Sequence, residues 1–189
     1  MMIASGKIEK PNAAGFTLIE VIVIVAILAI LAGILAPMIF SQIDDAKLAR
    51  AEADCKSISS AILAFRKDLG VWPNHSGAGC GENTQFLRGG GDLPGGLADM
   101  AYQTTATVLF SDVLMVDDEG CYNATKYRGP YLPVVNTDPW GNAYFLAANN
   151  FVATMTDPVF VLSAGPNGIV ETPIFSVSPL GDDIGTRIK

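Results

Sequence analysis

The sequence predicts an α+β protein: a long amino-terminal helix packed on a small antiparallel β-sheet. Three observations carry the prediction. Residues 21–40 form a run with no charged or polar side chain. An apolar stripe at helical spacing follows it directly. Short β-like runs separated by Gly, Pro, Asn and Asp then fill the carboxy-terminal half.

The run itself sets the first element. At 1.5 Å rise per residue it spans about 30 Å, the thickness of a bilayer's hydrocarbon core. Eleven of residues 21–35 are Val, Ile or Leu. Together they favour insertion by about 5 kcal/mol. Glu20 sits at the edge, and even at the bilayer centre an acid costs only about 3 kcal/mol on the same scale. Insertion therefore wins. A secretory signal peptide fits less well, because its apolar core is shorter and ends at a cleavage site. Lys7 and Lys10 precede the run, which puts the amino side in the cytoplasm and residues 41–189 outside. Gly33 and Pro37 predict a kink or local melting within the run.

Leu48, Ala51, Cys55, Ile58, Ile62, Phe65 and Leu69 alternate spacings of three and four. This is one face of a helix, with Asp44, Lys47, Arg50, Asp54, Lys56 and Lys67 opposite. Gly70 and Pro73 end it. The expected helix thus runs from about Phe16 to Leu69, with its amphipathic half lying on the globular part. Residues 74–100 are Gly-rich and read as a surface excursion, and residues 100–116 as a short helix. Strands are expected at 131–135, 143–147 and 159–163, with the Asp138-Pro139-Trp140-Gly141 turn between the first two. The resulting organisation is a leader at 1–15, a membrane helix at 16–40, an amphipathic half at 41–72 and a globular domain at 73–189.

Composition narrows the function. Lys and Arg number 12 against 19 Asp and Glu, a net charge of −7. No basic face is available for nucleic acid. One histidine, His75, and three cysteines without a C-x-x-C supply zinc or Cys/His catalysis poorly. Gly89-Gly90-Gly91 lacks the strand and the Lys-Ser/Thr of a phosphate loop. An enzyme is thus the weakest reading. In an oxidising compartment Cys80 and Cys121 are candidates to pair, while Cys55 belongs to the apolar stripe.

Gly15-Phe16-Thr17-Leu18-Ile19-Glu20, after a short charged leader and before a long apolar helix containing Pro37, resembles the type IV pilin and pseudopilin family. The resemblance implies cleavage by a membrane prepilin peptidase after Gly15 and N-methylation of Phe16. It implies that Glu20 pairs with the terminal amine of a neighbouring subunit during filament assembly. Electrostatics agree, since no Lys or Arg lies between Lys10 and Lys47. A new amine with reference pKa near 8 is about the only cation at that depth.

The carboxy-terminal half sharpens the resemblance. Asp138-Pro139-Trp140-Gly141, Leu162-Ser163-Ala164-Gly165-Pro166-Asn167-Gly168 and Gly181-Asp182-Asp183-Ile184-Gly185 look like the major pseudopilin of type II secretion. That likeness covers residues 15–72 and 130–186 and leaves 74–128 without a counterpart. It implies a calcium-binding loop, with Asp182 and Asp183 matching and Asn167 standing where an aspartate is usual. The loop is longer than the family's, and Glu171 within it is placed to supply the missing charge. The implied function is a structural subunit of a periplasmic pseudopilus rooted in the inner membrane. Its implied partners are copies of itself, minor pseudopilins, the inner-membrane secretion platform and the peptidase. The alternative is a type IV pilin of a surface fibre. A single-pass anchored binding domain explains the apolar run but not Gly15–Glu20.

Overall fold

The computed structural model describes residues 15–76, 80–82 and 84–189, apart from the side chain of Pro37. The leader expected at 1–15 lies outside these residues except for Gly15. The chain divides into two units, residues 1–43 and 44–189.

Helix α1 spans Leu18–Leu69. Five short strands follow: β1 Phe86–Arg88, β2 Thr107–Leu109, β3 Phe145–Ala147, β4 Phe160–Ser163 and β5 Ile184–Arg187. The helix bounds fall within two residues of the sequence expectation. Within the first unit, α1 continues through Gly33 and Pro37, so the expected melting is absent. Proline forfeits one donor, but each neighbouring backbone bond is worth keeping in an apolar setting. At the other end Gly70 takes φ +77° and its N–H caps the Arg66 carbonyl at 2.8 Å. A left-handed residue there favours glycine.

In the second unit the predicted stripe is the core. Ala51, Cys55, Ile58, Ile62, Phe65 and Leu69 are all buried, whereas Leu48 stays 40% exposed. Each of the large side chains gains about 1.5–3 kcal/mol from leaving water. Phe65 is ringed edge-on by Tyr122, Tyr127 and Tyr131, at centroid distances of 4.8, 6.3 and 5.5 Å.

The sheet order is β2-β1-β3-β4-β5. It is mixed rather than antiparallel, because β1 and β2 run parallel. Residues 89–106 between them are long enough for the crossover that parallel pairing requires. Side chains alternate between two cores. Leu87, Leu146 and Val161 face the first, with the α1 stripe. Phe86, Phe145, Ala147, Phe160 and Leu162 face the second, with Leu97, Tyr102 and Val170. Both faces are covered, so β3 and β4 are buried throughout.

Three further expectations are corrected. Residues 131–135 are not a strand; Pro130 and Pro133 remove the donors a ladder needs. Residues 100–116 hold β2 and a single π-helical turn, Ser111–Met115, rather than a short α-helix. The Gly-rich stretch is not simply a surface excursion: it supplies β1, and its Leu97 covers the second core.

Candidate functional site

Two places bring the sequence-predicted residues together, one in each unit. At the amino end, Gly15 and Phe16 are exposed, Phe16 at 80%. Thr17 precedes the first helical residue and is the N-cap. Its N–H and its hydroxyl both donate to Glu20 Oε2, at 2.9 and 2.8 Å. The Glu20 N–H returns a 3.4 Å bond to Thr17 Oγ1. This is a capping box, which satisfies helix-end donors that otherwise lack partners. Thr17 lies outside the sequence expectations, although Thr-x-x-Glu before an apolar run is the signal for such a cap. Glu20 Oε1 carries no hydrogen bond among the described residues. Beyond the cap, the described side chains of residues 21–40 are exposed all round the helix. Over this stretch α1 is long and apolar enough to cross a membrane.

The second place is the loop between β4 and β5. Gly165 takes φ +64°, and a Cβ there would collide with the Asp182 carbonyl oxygen, so the β4 end and the Asp182 turn meet backbone to backbone. Asp182 Oδ2 accepts the Asn167 N–H at 3.0 Å. Asp183 Oδ2 accepts the N–H groups of Glu171 and Thr172, at 2.9 and 2.7 Å. The Asp182 N–H donates to Glu171 Oε2 at 3.1 Å. The Gly-rich segment braces this loop from outside: Gly95 N–H bonds the Gly168 carbonyl, and Val170 N–H bonds the Gly95 carbonyl, both at 2.9 Å. Burial raises the Asp183 carboxyl above its ordinary value, opposing the pull of the Thr172 and Glu171 bonds, and the Asp182 charge adds to the rise.

The remaining oxygens test whether the residues fit a cation. Oδ1 of Asp182 and Oδ1 of Asp183 are buried and accept no hydrogen bond. A buried carboxylate oxygen without a donor is costly, and a hard cation would offset that cost. Asn167 Oδ1 is instead engaged by the Ile169 N–H at 2.6 Å, in a local turn. Among the described residues no three His, Cys, Asp or Glu side chains stand in metal-holding geometry. Carbonyl oxygens would therefore have to complete the set, which calcium accepts.

Cys80 and Cys121 are joined by a disulfide, with Cα atoms 5.1 Å apart. Cys55 is free and buried.

Residues 10–36 match the family model of the prokaryotic N-terminal methylation motif. Over 66 residues the chain is 38% identical to the type II secretion system core protein G of Pseudomonas aeruginosa, an alignment covering 35% of this chain and 46% of that protein. The chain thus spans less than half the length of that relative. Over 137 residues it is 26% identical to the type II secretion system core protein G of Aeromonas hydrophila, covering 72% of this chain and 73% of the other. No solved structure matches. The amino-terminal segment is thus similar to the methylation motif, and longer stretches of the chain are similar to two type II secretion core proteins.

Proposed function

We propose that this chain is the structural subunit of a pseudopilus that drives type II protein secretion. The observation that carries the reading is the Thr17–Glu20 capping box at the head of a helix whose first stretch, residues 21–40, is apolar on every side. A lone membrane helix needs no acid there. Cleavage after Gly15 frees the amine of Phe16, four residues from Glu20. The cap spends Oε2 on Thr17 and leaves Oε1 for the terminal amine of a neighbouring copy. Breaking a buried pair of this kind typically costs about 3–5 kcal/mol, which penalises copies out of register. The exposed apolar run serves first as a single-pass inner-membrane anchor, amino end in the cytoplasm. It then becomes the packing surface between copies. Minor pseudopilins, the inner-membrane platform and the prepilin peptidase are the further partners of this reading.

Calcium belongs to the same proposal. Asp182 and Asp183 would hold it through their unpartnered Oδ1 atoms. The ion would cancel the two adjacent charges and tie the loop to the start of β5. Calcium titration with thermal melting tests this part: a midpoint that does not rise removes the site.

The assembly role is tested by Glu20→Ala. The variant should insert in the membrane and be cleaved as the parent is, yet form no filament. Normal filament yield would refute the pairing role.

A further inference from the structure

Glu171 touches both aspartates of the β4–β5 loop. Its N–H donates to Asp183 Oδ2 at 2.9 Å, and its Oε2 accepts the Asp182 N–H at 3.1 Å. The side chain also lies against Gly181, where any Cβ would collide with the Glu171 carboxylate. Gly181 takes φ +62°, so the backbone there is both bent and cleared for this carboxylate. Two bonds and one glycine thus hold a third negative charge beside Asp182 and Asp183.

Those aspartates show that the place is more than a cluster of acids. Asp183 is only 8% exposed, and its Oδ1 is buried without a partner, as is Oδ1 of Asp182. Among the described residues the two ion pairs, Arg50 with Asp54 and Lys56 with Glu52, lie on α1 and reach none of the three carboxylates. Asn167 is neutral, and its acceptor is spent on Ile169.

We propose that Glu171 is the affinity-determining charge of a divalent-cation site at Asp182 and Asp183. It positions Asp182 through the amide contact and adds a third unit of negative charge. A negative charge beside an oxygen site strengthens its hold on a hard dication without itself being a ligand. Glu171, and not Asn167, therefore separates a site that holds calcium from one that holds it weakly. The inference rests on the calcium reading above, and the experiment separates the two.

The test is calorimetric titration of calcium chloride into the detergent-solubilised full chain. Glu171→Gln retains an acceptor for the Asp182 N–H and removes only the charge. Its melting point without calcium should stay within about 2 °C of the parent. Its calcium affinity should fall by roughly tenfold. Adding Asn167→Asp to that variant restores a charge beside Asp182 and should recover most of the loss. Asn167→Ala alone should change affinity by less than about threefold. Equal affinity of Glu171→Gln and parent would overturn the inference while leaving the calcium site standing. Weak binding that Asn167→Asp does not rescue would also overturn it, since geometry and not charge would then be at work. A parent chain that takes up no calcium would overturn both.

Discussion

Ser163 donates its hydroxyl proton to Asp138 Oδ2 across 2.7 Å, joining the end of β4 to the turn that precedes β3. Both residues are buried. Asp138 Oδ1 meanwhile accepts the N–H groups of Trp140 and Asn142, at 3.0 and 2.8 Å. One carboxylate therefore closes the Asp-Pro-Trp-Gly turn and pins it to the strand leading into the candidate cation loop.

Replacing Asp138 by Ala leaves two N–H groups and the Ser163 hydroxyl without their acceptor. The expected cost is about 3 kcal/mol, a fall in Tm of roughly 10 °C for a domain of this size. Ser163→Ala removes one donor and should cost about 1 kcal/mol. Thermal melting of both variants checks the ranking. An Asp138→Ala protein as stable as its parent would show that the turn holds without its carboxylate.

Phe65 and Leu48 lie on the same predicted stripe but differ in burial, at 0% and 40% exposed. Phe65→Ala empties the space between three tyrosines and should cost about 3–5 kcal/mol. Leu48→Ala should stay within about 0.5 kcal/mol in the dispersed subunit. Urea unfolding of the two variants measures the contrast, and similar losses would contradict the packing described.

The disulfide closes a sequence separation of 41 residues. Loop-closure entropy gives about 4 kcal/mol for a crosslink of that span. Cys121→Ser should lower the melting point substantially. Reductant should destabilise the parent and leave the variant unchanged.

Cys55 tests burial by chemistry. Desolvation, aided by the charges of Asp54, Asp138 and Glu52, pushes its thiol from 9.0 up to about 12. The folded chain thus holds this proton more tightly than the unfolded chain. Its contribution is fully present below pH 9 and is lost as pH rises towards about 12. Tyr144, raised by burial and by its bond to Asp54, acts in the same direction. Stability should therefore fall as pH climbs above 9. A thiol reagent at pH 8 should label Cys55 only after denaturant is added. Rapid labelling of the folded, oxidised chain would place Cys55 outside the core.

The helix was legible because one local period carries it. Ala51 through Leu69 bury as the three-and-four spacing requires. The sheet was less legible because its reasons are non-local. Phe86 and Leu87 sit in a three-residue strand after Gly-, Asn- and Ser-rich sequence, and only partners on both faces make them core. Residues 131–135 have strand composition, but Pro130 and Pro133 outweigh propensity. Asp138 reads as a turn former, while its reach to Ser163 crosses 25 positions and leaves no local trace. Glu171 as a residue of the loop was visible, yet its grip on Asp182 depends on the Gly181 bend. The capping box was present in the spacing of Thr17 and Glu20. Glu20 is thus an acceptor at the helix end as well as a charge.

That double role of Glu20 makes Glu20→Ala ambiguous alone, since the variant loses both cap and charge. Glu20→Gln separates them. Glutamine serves in a capping box, so the first turn should keep its bonds to Thr17. It offers no charge to a neighbour's amine. Thr17→Val is the reciprocal change: it removes the capping hydroxyl, at about 1 kcal/mol, and leaves the carboxylate. If the charge governs assembly, Glu20→Gln should abolish filaments while Thr17→Val only reduces their yield. If the cap governs it, the order reverses. Filament yield, scored beside membrane insertion and amino-terminal cleavage, decides between them. Pairing predicts the first order because a fraying helix end costs about 1 kcal/mol, whereas an unanswered buried charge costs about 3–5.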